Sequence, residues 1–181
     1  VVRYEGEWEN GVPCGRGIGL LSRGAIFQGM WRGLPHGWGR LFSLCPEGVY
    51  AGTFAGGWRH GNGELRYDGG GLYRGGWRFG QRSGSGEERT PRGERYVGKW
   101  VADVRSGLGR CAYPDGSVFE GVFAHGIRAG EGLWVGKDGA VAAGKFDGKT
   151  LQGHGVASWT SGAVFEGSFR KGKPAGAGHA H

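Results

Sequence analysis

The sequence predicts an all-β fold: an elongated, twisted, single-layer antiparallel sheet of eight stacked β-hairpin repeats. Three regularities carry that prediction. An aromatic-x-Gly-x-aromatic unit returns every 23 residues, a Gly-x-Gly unit follows each one, and turn residues separate the two. In a strand, residues i, i+2 and i+4 share a face, so each unit puts both rings and the intervening glycine on one side. In the stretch Tyr113–Phe123, for example, Phe119, Gly121 and Phe123 share a face while Glu120 and Val122 take the other.

Counting the leading residue of each unit as position zero, the copies start at Tyr4, Phe27, Tyr50, Tyr73, Tyr96, Phe119, Ala142 and Phe165. Position two is always glycine, from Gly6 to Gly167. Position four is always Trp or Phe: Trp8, Trp31, Phe54, Trp77, Trp100, Phe123, Phe146 and Phe169. Gly-x-Gly stands at positions eleven and thirteen, from Gly15/Gly17 to Gly176/Gly178. In the second copy Gly37/Gly39 comes one place early, and one residue inserted before Tyr50 restores the phase. Asn10-Gly11 is a hairpin-turn dipeptide, and Gly80, Gly126 and Gly172 occupy the same place in later copies. Between copies, Pro114 sets the φ of a turn that Asp115-Gly116 completes. The last copy is expected to lack a full second strand.

No copy holds enough apolar residues to bury a core alone, so neighbours must stack to cover the rings. Glycine between aromatics clears room for a ring from the adjacent strand to lie across the backbone. The chain has 44 Gly, 8 Trp, 9 Phe and 6 Tyr, and the 23-residue rule excludes both collagen and disorder. Residues 1–181 read as a single array and as a piece of a longer protein. No apolar run approaches the length of a membrane-spanning helix. Cys14, Cys45 and Cys111 are widely spaced with no CxxC, which points to free thiols in a reducing compartment.

The glycines are structural and do not form a phosphate loop, since GxxxxGK[ST] is absent and no helix follows Gly15-Arg16-Gly17-Ile18-Gly19 or Gly69-Gly70-Gly71. Cys14, His36 and His60 share one column, but adjacent copies stand two strands, about 9–10 Å, apart, too far to ligate one zinc. A metal shared across a dimer through His179 and His181 stays open, and no ligand set is assigned. Glu5, Glu120 and Glu166 sit at equivalent places opposite the rings and make no acid–base pair. No enzymatic activity and no cofactor are expected. Lys and Arg number 23 against 16 Asp and Glu, for a net charge of +7 and a pI near 9.6, which favours acidic partners. The excess concentrates at Arg78, Arg82, Arg89, Arg92, Arg95, Lys99, Arg105 and Arg110, and again at Arg170, Lys171 and Lys173.

Tyr4-Glu5-Gly6-Glu7-Trp8-Glu9-Asn10-Gly11 with Gly15-Arg16-Gly17, and Tyr113–Gly121, resemble MORN (membrane occupation and recognition nexus) repeats, and the likeness covers nearly the whole chain. Local departures are Ala142 for a leading ring, Asp103 for a turn glycine, and Thr90-Pro91-Arg92 where the fourth copy's second strand usually has an aromatic. The resemblance implies a non-catalytic scaffold in a cytoskeletal or ciliary assembly, acting through protein partners and self-association. Two alternatives are a membrane-attachment module for acidic phospholipid and a regulatory array of a lipid kinase or methyltransferase whose catalytic domain lies elsewhere. The expected location is cytoplasmic, on cytoskeleton or cilium or at the inner face of a membrane; nucleic acid is not an expected partner. Candidate acidic-lipid or acidic-partner residues are Arg89, Arg92, Arg95, Lys99, Arg170, Lys171 and Lys173. The leading and position-four rings are read mainly as core packing, and in part as a groove for a partner's helix or strand.

Overall fold

The computed structural model describes residues 1–43 and 48–180, which leaves the cysteine at 45 and the histidine at 181 outside the described residues. Sixteen antiparallel strands follow one another in sheet order as they do in the chain, and the described helix is a single three-residue turn, Ser22–Gly24. Two compact units divide the chain: Val1–Pro91 with Val101–Asp103, and Arg92–Trp100 with the residues from Val104 onward. The first carries β1 (Arg3–Glu9), β2 (Val12–Leu20), β3 (Ile26–Arg32), β4 (Leu34–Ser43), β5 (Gly48–Ala55), β6 (Trp58–Arg66), β7 (Leu72–Arg78) and β8 (Gln81–Arg89). The second carries β9 (Arg95–Val101, its last residue excepted), β10 (Val104–Ala112), β11 (Val118–Ala124), β12 (Ile127–Val135), β13 (Val141–Asp147), β14 (Thr150–Ser158), β15 (Val164–Arg170) and β16 (Lys173–Ala180). The last hairpin is therefore complete: β16 pairs with β15 as far as Phe165↔Ala180, which corrects the expectation of a truncated final copy.

The two glycine columns do different work. The second glycine of each Gly-x-Gly lies opposite the position-two glycine, as in Gly6↔Gly17, Gly52↔Gly63 and Gly121↔Gly132. These pairs join across neighbouring copies as well (Gly17↔Gly29, Gly132↔Gly144), so a line of glycine crosses the strands of each unit. The leading ring lies over that line. A Cβ built on Gly63 would stand 2.5 Å from Tyr50 Cε2, and one on Gly132 would stand 2.5 Å from Phe119 Cζ. The first glycine of Gly-x-Gly has positive φ in all eight copies, from +59° at Gly15 to +93° at Gly130. Backbone of that hand is unstrained only for glycine, and it allows the register slip seen between Gly6↔Gly17 and Glu7↔Cys14, a β-bulge. The bulge brings position nine opposite the position-four ring on the aromatic face: Phe54↔Arg59, Trp77↔Arg82, Phe123↔Arg128.

Within each unit, a leading ring meets the position-four ring of its own copy and, where the next copy lies in the same unit, that copy's as well, always edge to face. In the first unit the zigzag runs Tyr4–Trp31 (4.9 Å), Phe27–Trp31 (5.2 Å), Phe27–Phe54 (4.8 Å), Tyr50–Phe54 (5.1 Å), Tyr50–Trp77 (5.2 Å) and Tyr73–Trp77 (5.2 Å). In the second it runs Tyr96–Phe123 (5.0 Å), Phe119–Phe123 (5.4 Å) and Phe119–Phe146 (5.1 Å). Such pairs add about 0.5–1.5 kcal/mol each beyond area burial. The rings are the core: Phe27, Trp31, Tyr50, Phe54, Tyr73, Trp77, Tyr96, Trp100, Phe119, Phe123, Phe146 and Phe169 are buried. Tyr4 and Phe165 are partly covered, and Trp8, in the first hairpin, is exposed.

Copies are also stapled at their turns. Asn10-Gly11, Gly56-Gly57, Phe79-Gly80, Ala102-Asp103, His125-Gly126 and Lys171-Gly172 have positive φ at both residues, the backbone that matches strand twist. In the second copy the turn is the single residue Gly33, which explains why its Gly-x-Gly comes early. The turn N–H of one copy donates to the position-nine carbonyl of the copy before, as in Gly57 to Pro35 (2.9 Å), Gly80 to Arg59 (2.9 Å) and Gly126 to Arg105 (3.1 Å). Asp103, standing where most copies have glycine, keeps that bond to Arg82 (3.1 Å).

Candidate binding groove on the aromatic face

Position nine defines the chemistry of the aromatic face. It holds Arg59, Arg82, Arg105 and Arg128 in the four middle copies, each partly buried over a leading ring. The Arg59 guanidinium lies 4.5 Å from the Trp77 ring, Arg105 4.7 Å from Tyr96, and Arg128 5.0 Å from Phe119 and 4.7 Å from Tyr113. Arg82 pairs with Glu88 (2.6 Å) and Asp103 (3.1 Å), and Arg105 with Glu94 (2.6 Å). Arg128 Nε donates to the Tyr113 hydroxyl at 2.9 Å. These arginines recur 23 residues apart. That spacing was visible in the sequence, although only Arg82 and Arg105 stand out there, and only as part of a general excess of charge.

The pattern breaks in the seventh copy, within the second unit. Ala142 replaces the leading ring and Leu151 replaces the position-nine arginine. The buried Leu151 methyls take over the glycine line, 3.1 Å from where a Cβ on Gly144 or on Gly155 would sit. One leucine thus stands in for a ring with a guanidinium layered on it. Above it opens a groove of about 890 Å³. Its floor is Ala142, Phe146, Leu151, Ala157 and Phe169, and Tyr113, Trp134 and Trp159 rise from its walls. It spans the strands from the between-copy connections, with Asp115 and Asp138, to the hairpin-turn edge, with Lys149. Trp159 is 41% exposed, unlike the core rings.

The connections that carry this wall are preset by local bonding. Gly116 N–H donates to the Tyr113 carbonyl (3.0 Å), closing the turn that Pro114 starts. Asp115 accepts from the Ser117 hydroxyl (2.7 Å) and N–H (2.9 Å), and these bonds hold its carboxyl below the usual carboxylate range. Burial pushes the Tyr113 phenol up to about 12, against the opposing effect of Arg128, and pushes Tyr50 in the first unit up to about 12 as well. A phenol whose folded pKa lies above its ordinary value of about 10 supplies stability that is complete below pH 10 and lost as pH climbs toward 12. Melting temperature should stay flat to about pH 10 and then fall in step with tyrosinate absorbance. Full tyrosine ionisation near pH 10 with the fold intact would contradict the burial. Cys14 and Cys111 are free thiols, and burial raises the Cys111 thiol away from reactivity.

The charged candidates lie elsewhere. Arg89 is exposed on β8 and bonded to Glu87 (2.8 Å). Arg92 is exposed in the connection before β9, and Arg95 and Lys99 project from β9 on the face opposite the rings. Arg170, Lys171 and Lys173 are exposed and gathered on the final hairpin turn, where Arg170 faces Lys173 across the strands. Glu5, Glu120 and Glu166 are exposed opposite the rings. That face of the first unit carries a shallower hollow of about 700 Å³ around Ile18, Met30, Trp38, Arg16 and Arg40. Among the described residues, His179 lies in β16 and no three His, Cys, Asp or Glu converge on one point.

No curated protein matches the sequence. Among solved structures, the TCP domain of SAS-4 (dCPAP) in complex with a proline-rich motif of Ana2 (dSTIL), of Drosophila melanogaster, is similar in fold. Its TM-score is 0.50 at 11% identity, over 86% of this chain and 85% of that one. The model of the MORN repeat matches residues 4–18, 50–72, 73–95, 96–118, 119–141, 143–164 and 165–179. The unmatched stretch includes the second copy with its one-residue turn, and the sixth match begins just past Ala142. With the 23-residue copies, the glycine line and the stacked hairpins, these matches show that the chain belongs to the MORN repeat family.

Proposed function

We propose that this chain is a non-catalytic scaffold that docks an extended segment of a partner protein in the aromatic-face groove. The observation that carries the reading is the groove itself: an apolar floor with aromatic walls and a few charged groups at its ends. That composition suits specific docking of a peptide, because aromatics supply contact area and sparse polar groups orient the guest. A binding role for the fold accords with the Drosophila TCP domain, which was solved with a proline-rich motif. The scaffold reading extends to self-association and to a place in a cytoplasmic cytoskeletal or ciliary assembly. Dodecapeptides displayed on phage and selected on the protein test it. Selected peptides should shift the indole signal of Trp159 and lose about tenfold in affinity, about 1.4 kcal/mol, on Trp159→Ala. Failure to select any peptide, or binding indifferent to groove substitutions, would remove the reading.

A second reading, attachment to acidic phospholipid, is favoured by the exposed Arg170, Lys171 and Lys173 on one turn. None of the three joins an ion pair among the described residues. Each basic group near an anionic membrane contributes about 1 kcal/mol. Flotation with phosphatidylserine vesicles should then depend on these residues together with Arg89, Arg92, Arg95 and Lys99, and equal flotation of the charge-reversed protein would exclude it.

A further inference from the structure

Resting on the groove reading, we infer that the gap at Ala142 is a socket for one aromatic ring of the docked segment, carried beside a basic side chain. Seven of the eight copies bring their own ring to position zero, where it covers the glycine line. The seventh does not, and the groove opens there. The surroundings stay prepared for a ring. Ala142 is paired across the sheet with Trp134 on one side and Ala157 on the other, and Phe146 and Phe169, the two rings a resident aromatic would meet edge to face, line the floor. Leu151 already covers the glycine pair, so an incoming phenyl or indole would rest on the Leu151 methyls, with Phe146 and Phe169 as edge partners.

Charge selects the neighbour. The protein as a whole is basic, with net charge +7, yet the groove is lined by Asp115 and Asp138, and by Glu94, which Arg105 already pairs, against Arg128 and Lys149. Arg128 is held by Tyr113 and stacked on two rings, and Lys149 stands at the far, turn-side end. The connection-side wall, with Asp115 and Asp138, is thus the place for a guest cation, and opposite charges across an interface fix orientation and register. The guest is an extended protein segment with an aromatic residue next to Lys or Arg.

The decisive variant is Ala142→Phe, which places a ring above Leu151 and fills the socket. Peptides selected on the wild-type chain should be enriched in an aromatic beside a basic residue. They should lose about tenfold or more in affinity for Ala142→Phe. On the wild-type protein, an aromatic–basic peptide should shift the methyl signals of Ala142 and Leu151, and its counterpart with Ala for the aromatic should not. This second measurement holds even if Ala142→Phe folds poorly. Peptides that require Trp159 but bind Ala142→Phe equally well, or that carry no aromatic, would overturn the socket and leave the groove standing. Binding insensitive to both substitutions would overturn both.

Discussion

Gly63→Ala is expected to destabilise the first unit by about 3 kcal/mol, far more than a glycine-to-alanine change usually costs. The reason is geometric. Its Cβ would stand 2.5 Å from Tyr50 Cε2, on a ring that is 1% exposed and locked edge to face between Phe54 at 5.1 Å and Trp77 at 5.2 Å. The ring cannot swing aside without losing both contacts and the bond from its hydroxyl to the Thr53 carbonyl (3.1 Å). Nor can the strand retreat, because Gly52 faces Gly63 across the hairpin. Tyr50→Ala removes the obstacle at a cost of about 3–5 kcal/mol of its own. The double variant should therefore fall short of the sum by about 1 kcal/mol or more, the signature of two residues sharing one space. Gly153→Ala is the control: its φ is +69° but nothing lies within 4 Å, so only backbone strain of about 1–2 kcal/mol is expected. Denaturant unfolding of the four proteins decides the matter. Equal losses for Gly63→Ala and Gly153→Ala would show that the rings do not depend on the glycine line.

That contrast marks where the sequence could be read and where it could not. The 23-residue spacing announces hairpins, faces and ring-on-ring packing, because period-two alternation and stacking act locally and repeat identically. It does not separate Gly63 from Gly61. One clears a ring and the other, at φ +68°, turns a bulge, yet both are simply glycine in Gly-x-Gly. The bulge in turn decides which face position nine takes, so the stacked arginines could not be placed from alternation alone. Ala142 was legible as a departure from the pattern. That Leu151 would cover its glycine pair and leave a groove depended on a compensation nine residues away in the same hairpin, which no local rule supplies. The charged candidates show the opposite case: their exposure followed from polarity, but pairing such as Arg89 with Glu87 appeared only in three dimensions.

Arg82→Met is expected to cost about 3 kcal/mol, because it withdraws a cation from two carboxylates at once. The Arg82 side chain is 18% exposed and Glu88 15%, with 2.6 Å between Nη1 and Oε1, so water screens the pair poorly. Methionine keeps the aliphatic packing over Tyr73, whose ring lies 5.6 Å from the guanidinium, and leaves Glu88 in place without its Arg82 charge. Asp103 suffers as well. It occupies a turn position at φ +67° that most copies give to glycine, and Arg82 holds it there through its N–H (2.9 Å) and Nε (3.1 Å) to Oδ1 and through Nη2 to the carbonyl (2.9 Å). Only the two bonds made by the Arg82 backbone survive the substitution, from its N–H to Oδ1 and from the Asp103 N–H to its carbonyl (3.1 Å). Adding Glu88→Gln should recover part of the loss by removing the carboxylate charge that Arg82 balances, and adding Asp103→Gly should recover more by restoring the glycine that the turn geometry favours. Chemical denaturation of the single and combined variants reads these terms directly. If Arg82→Met proved neutral, the position-nine arginines would be surface charges and their stacking on the rings would carry no weight; if only the glycine substitution rescued it, Asp103 would be the residue that Arg82 exists to hold.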